Sequence, residues 1–161
     1  MGSRSDALAT RFEQTNQEFI QAVQPITAEE WNNICPDENW SVGVTAHHVA
    51  YALPTTVELT QAMAAGQTPD LNWDMLNEVN AKHARDYANC TKEETLTELQ
   101  TNGDHTANAI RSLDDDALDV QHSIPMFGPD PITVEQFIEY VVIGNHHAHL
   151  PSIRAAAPSA G

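Results

Sequence analysis

Apolar residues recur at three- and four-residue steps along most of the chain, and no stretch alternates apolar with polar for long. That is the period of helices that bury one face, not of strands. Leu8, Phe12, Thr15, Phe19 and Val23 predict a first helix from Ser5 to Val23, ended by Pro25. Thr27-Ala-Glu-Glu30 has the form of a capping box and predicts a short helical turn, with Trp31 and Ile34 as its apolar contacts. Ser41 suits the N-cap of a second helix, Val42 to about Ala65. Its stripe of Val44, His48, Tyr51, Thr55, Leu59 and Met63 puts His48 on the core face and His47 on a neighbouring one. Pro54 interrupts that helix and Gly66 stops it.

A third helix is expected from Trp73 to Tyr87, through Leu76, Val79 or Asn80, and His83. Thr91-Lys-Glu-Glu94, a second capping box, opens a fourth through Leu96, Leu99, Ile110 and Leu113, with Gly103 weakening its middle. Asp114-Asp-Asp116 reads as a solvated turn, and residues 119–131, with three prolines and Gly128, as an irregular crossover. Thr133-Val-Glu-Gln136 caps a last helix through Phe137, Val141, Asn145, Ala148 and Ser152. The tail after Ala156 is expected to fray. No internal repeat or domain boundary is visible. The expected fold is all-α: one domain over residues 1–161, a four-helix bundle with an additional short helix and a long crossover loop before the last helix.

Composition narrows the function. Seven Lys and Arg against 23 Asp and Glu give a formal charge of −16. Such a chain lacks the cations that neutralise phosphates or dock on an anionic membrane, so neither nucleic acid nor membrane is expected as a partner. No apolar run reaches the length of a membrane span and the first 25 residues hold no apolar leader segment, so a cytoplasmic location is expected. Met1-Gly2-Ser3 is given no structural weight. Cys35 and Cys90 are far apart and lack metal-type spacing, as expected of two ordinary thiols in a reducing compartment.

The candidate chemistry lies in the histidines. Gly144-Asn-His-His-Ala-His149 holds three of them in four positions, and His47-His48 lies about a hundred residues earlier. Imidazole binds Zn, Ni, Fe or Cu, and bundle cores build metal sites from facing helices. Residues four apart on a helix share a face, so Asn145 can join His149; residues three apart can also do so, which admits His146 with His149. Either pair can face His48. His83, His105 and His122 read as surface or hydrogen-bonded core residues, and His147 as solvent-facing.

Trp40-Ser-Val…Ala46-His47-His48-Val49-Ala50, followed far downstream by a histidine-rich final helix, resembles the DinB-like superfamily. That group includes the mycothiol-dependent maleylpyruvate isomerase metal-binding domain and the bacillithiol transferases. The family opening places a histidine eight positions after a tryptophan, here His48. The final helix of the family often reads His-x-x-x-His-Leu-x-x-Ile-Arg, and His149-Leu-Pro-Ser-Ile-Arg154 matches its second half. Asn145 stands where the first of those histidines is expected. In the alternative register His146 comes second and Val142 first. The resemblance implies a divalent transition metal (Zn, Ni or Fe) held by His48, His149 and Asn145 or His146, with an open position for a low-molecular-weight thiol or water.

Three functions follow as expectations. The first is a metal-dependent thiol S-transferase, isomerase or hydrolase acting on a small electrophile, with Arg154 either pairing a substrate carboxylate or serving as a surface ion-pair residue. The second is a non-catalytic bundle that binds metal or ligand for structure or sensing, because one family histidine is replaced. The third is an interaction module steered by the acidic surface. No general acid or base can be named; Glu139 and Tyr140 lie on the right helix without an assigned partner. Dimerisation through helix faces is compatible with the family.

Overall fold

The computed structural model describes residues 2–161; Met1 lies outside them. Helices α1 (Ser3–Val23), α2 (Val42–Ala64), α3 (Trp73–Asp86) and α4 (Lys92–Arg111) precede a one-turn helix α5 (Asp115–Leu118). The last helix is continuous but changes pitch: α6 (Val134–Phe137), a π-helical stretch (Ile138–Ile143) and α7 (Gly144–Ala156). Helices α1, α2, α4 and the last form the bundle, with α4 and α7 each touching both α1 and α2. Helix α3 lies outside this square, against α2, and buries a single residue, His83.

Local signals set the helix starts. Ser41, Asn72, Thr91 and Thr133 each accept a hydrogen bond from the backbone N–H three residues on, satisfying a donor that the first turn leaves open. Gly66, at φ +85°, takes the left-handed conformation that ends α2. The turn after α1 is a 3-10 helix (Glu30–Asn32) in which Thr27 and Glu30 bond reciprocally, as the capping box implies. Ile34 is 57% exposed, so it is not the apolar contact expected of it.

Three further expectations are corrected. Asp115 does not sit in a mere solvated turn: its carboxylate accepts the backbone N–H groups of Arg4 and Ser5 and so anchors the start of α1. The crossover contains an antiparallel pair, β1 (Gln121–His122) with β2 (Ile132–Thr133), so its ends are fixed by a ladder. The tail does not fray. Ala157 and Ala160 are buried, and Ser159 bonds to Glu30 through both its N–H and its hydroxyl.

Two apolar clusters fill the bundle, one around Phe12, Leu53, Ile110 and Phe137 and one around Phe19, Val49, Leu99 and Ile153. A polar contact sits between them. Asn16 donates to the Leu99 carbonyl (2.9 Å), and its Oδ1 lies 3.0 Å from His146 Nε2. Phe12 and Phe19 meet the His146 ring edge to face. This approach explains Gly103. A Cβ there would stand 2.2 Å from the Asn16 amide nitrogen, so the helix accepts a poor helix former to admit that side chain.

Candidate metal centre and substrate cavity

The loop between the first 3-10 turn and α2 is tied at both ends. Cys35 N–H donates to the Trp40 carbonyl (2.8 Å), Val42 N–H donates to the Asn33 carbonyl (2.8 Å), and Asn39 adopts a left-handed φ of 59°. This tight fold brings Glu38 and Trp40 to the end of the bundle where α2 and α7 approach. There the rings of His48 and His149 meet edge to face, centres 5.1 Å apart at 84°. Trp40 packs against His48 at 5.4 Å.

Glu38 fixes the orientation of His149. Its carboxylate accepts from His149 Nδ1 (2.7 Å) and from the Ser152 hydroxyl (2.6 Å), and its side chain is 8% exposed. In the neutral imidazole, a proton given from Nδ1 to this carboxylate leaves the lone pair at Nε2. This carboxylate–histidine pairing commonly supports metal-binding imidazoles. His48 is held neutral: burial first, then the nearby His149, His83 and His47, push its pKa down to about 3. A neutral ring is the form that binds metal.

The donors fit a divalent transition metal. Two imidazoles sharing one tetrahedral Zn²⁺ at Zn–N bonds of about 2.0–2.1 Å have ring centres roughly 5 Å apart, as His48 and His149 do. Asn145 lines the same cavity and offers an amide oxygen. The set is lean, however: among the described residues no group of three or more His, Cys, Asp or Glu is assembled around one point.

His146 is corrected. It lies on the opposite face of α7, 1% exposed, with Nε2 against Asn16 and Nδ1 against the Val142 carbonyl. Both nitrogens are occupied in the core, so it is not available as a ligand beside His149. His147 faces solvent, and His122 is a satisfied core residue, bonded to Thr68 and the Met63 carbonyl. Arg154 is exposed and does not line the cavity; Glu139 pairs with Arg11 at 2.8 Å. Neither free cysteine is a ready nucleophile. Burial raises the Cys35 thiol and pushes Cys90 up to about 11.

His83, set aside on sequence grounds, belongs to the site. Its ring centre is 5.6 Å from that of His48, and its Nε2 is 2.8 Å from His47 Nδ1. His47, 1% exposed, reaches on to Glu98 at 3.3 Å. The signal available was that His83 continues the apolar stripe of α3 with Leu76 and Tyr87, although the partner helix was not identifiable.

A cavity of about 460 Å³ opens beside these rings. Tyr51, Trp73, Leu76, Phe127, Phe137 and Tyr140 are among the residues of its apolar wall. This is the size and character of a small-molecule site, apolar with a few convergent polar groups. No helix among the described residues is long and apolar enough to cross a membrane.

A profile of the DinB superfamily matches residues 11–150. Among solved structures the chain is similar to YfiT from Bacillus subtilis, described as "a probable metal-dependent hydrolase with an unusual four-helix bundle topology". The two share 19% identity and superpose with a TM-score of 0.73 over 96% of this chain and 89% of that one. No curated protein matches the chain.

Proposed function

Since the chain belongs to the DinB superfamily, we propose that it is a metal-dependent enzyme acting on a small electrophile, with His48 and His149 holding the metal and Asn145 as an oxygen donor. The observation that carries this reading is the His48–His149 pair at 5.1 Å with Glu38 fixed behind His149. Zn, Ni or Fe bound there supplies a Lewis acid and makes a bound water or thiol a stronger nucleophile near neutral pH. The chain's own residues do the rest. Glu38 sets the His149 tautomer, Trp40 holds the His48 ring in place, and the apolar cavity takes up the electrophile and excludes bulk water.

Hydrolysis, as named for YfiT, and transfer to a low-molecular-weight thiol, as in thiol-using relatives, both suit an open position beside two imidazoles. Asn145 in place of a third imidazole favours a second reading, a metal- or ligand-binding bundle without turnover. The test uses protein purified without a His-tag or chelating resin. Metal content near one per chain, with metal-dependent consumption of an electrophile such as an activated ester or a maleylpyruvate-like enone plus thiol, supports the enzyme. Metal without turnover supports the second reading. Less than about a tenth of a metal per chain, unchanged by His48→Ala, sinks both metal readings, because a resident metal is near stoichiometric.

A further inference from the structure

The cavity wall offers no counter-ion. Apart from three imidazoles, its lining side chains among the described residues include no Asp, Glu, Lys or Arg. Thr55, Thr56, Asn80 and Asn145 are polar there but neutral. All seven basic residues lie elsewhere. Arg4, Arg11, Lys82 and Arg111 pair with carboxylates, and Lys92 donates to the Gln24 and Ile26 carbonyls. Arg85 and Arg154 are exposed outside the wall. An anion entering this cavity would lose water without gaining a cation, in a protein of formal charge −16.

The rim of the cavity is apolar and wet. Among the described residues six large hydrophobic side chains stand exposed, and four of them line this one cavity: Tyr51, Trp73, Val79 and Tyr140, at 43–59% exposure. Single exposed apolar residues are ordinary, but a cluster around a cavity marks a place that something apolar covers. The four come from α2, α3 and the π-helical stretch. Helix α3 buries only His83, so the fold itself gives Trp73 and Val79 little shelter. Three of the four are aromatic and offer flat faces, and a volume of about 460 Å³ suits a small molecule.

We propose that the cavity selects an uncharged small molecule with a flat aromatic body, and that Tyr51, Trp73, Val79 and Tyr140 are specificity-determining residues that pack on that body. A carboxylate or phosphate on the ligand finds no cation in the wall, and an ammonium finds no carboxylate. Both kinds of ion are therefore rejected by the cost of leaving a charge unpaired. Calling this ligand the electrophilic substrate rests on the enzyme reading above; the binding itself does not.

The test uses metal-stripped, full-length protein at about pH 8, above the ordinary imidazole range, and in about 0.15 M salt to screen surface charge. Three probes share one naphthalene body: methyl 2-naphthoate, 2-naphthoate and the (2-naphthylmethyl)trimethylammonium ion, with affinities from calorimetry. The ester should bind at least about tenfold more tightly than either ion. Trp73→Ala should weaken ester binding by roughly tenfold, the worth of one aromatic contact. Val79→Lys should narrow the gap between ester and carboxylate by about threefold, as an exposed ion pair does. Both residues are exposed, and circular dichroism checks that each variant keeps its helices. Equal or tighter binding of either ion, an ester affinity untouched by Trp73→Ala, or a gap untouched by Val79→Lys would overturn the proposal. If Trp73→Ala changes the oligomeric mass and not the ester affinity, the face belongs to a second copy of the chain instead. Zinc uptake by the same stripped protein reports the metal site separately, so loss of one reading leaves the other standing.

Discussion

Lowering the pH from 7 to 5 should destabilise the bundle through His146, and the size of the effect follows from where that ring sits. Its neighbours pull in opposite directions. Asn16 Oδ1 and the Val142 carbonyl are both acceptors, at 3.0 and 3.2 Å, and would together suit a protonated ring. Against them stand burial at 1% exposure and the edges of Phe12 and Phe19. Burial is the larger effect and brings the pKa down to about 4. The unfolded chain, with an ordinary histidine pKa of about 6.5, then binds protons that the folded chain refuses, so stability is full above pH 6.5 and falls as the pH drops toward 4. For a folded value of about 4, the loss is about 2 kcal/mol at pH 5 and about 3 kcal/mol by pH 4. His48 and His83 are shifted in the same direction and add to it. Carboxylates with lowered pKa, such as Asp119 and Glu94, stay ionised across this window and contribute little to the change. Urea unfolding at pH 7 and pH 5, with a ring-proton titration of His146, measures both sides. A His146 that titrates at or above 6.5, or stability equal at the two pH values, would mean that the two acceptors outweigh burial.

Two other perturbations have definite outcomes. Gly103→Ala should lower stability by about 2–4 kcal/mol in a thermal or urea melt, because the new methyl drives the Asn16 amide off both Leu99 and His146; a gain of about 1 kcal/mol, the ordinary helical benefit of alanine, would refute that packing. Glu38→Gln should weaken Zn²⁺ binding by roughly 10- to 100-fold in a competition titration while leaving the helical circular dichroism unchanged, since Glu38 lies in the loop before α2 and orients His149; unaltered affinity would remove Glu38 from the site.

Helix positions and caps were legible because they depend on neighbours in sequence. Ser41, Thr91 and Thr133 act through residues three positions away, and the structure finds those bonds. His48 and His149 were legible as candidates because of helical spacing and family likeness. What escaped depended on partners distant in sequence. Glu38 reaches His149 across 111 positions, Asn16 claims His146 across 130, and nothing near either carboxylate or amide announces the pairing. His146 looked equivalent to Asn145 because spacing alone cannot say which face of α7 turns to α1. The π-helical stretch Ile138–Ile143 has no composition signal of its own, yet it sets the phase between the Thr133 cap and the Asn145–His149 turn. His83 seemed ordinary until α3 was seen lying outside the bundle and delivering it to the cavity.

The central claim is that two imidazoles, from α2 and α7, hold one cation. X-ray absorption on the zinc-loaded, tag-free protein reads that shell directly. The account predicts two imidazole nitrogens at about 2.0–2.1 Å with oxygen completing the coordination, and the loss of one imidazole in His149→Ala. A shell of oxygen alone, or one indifferent to that substitution, would contradict it.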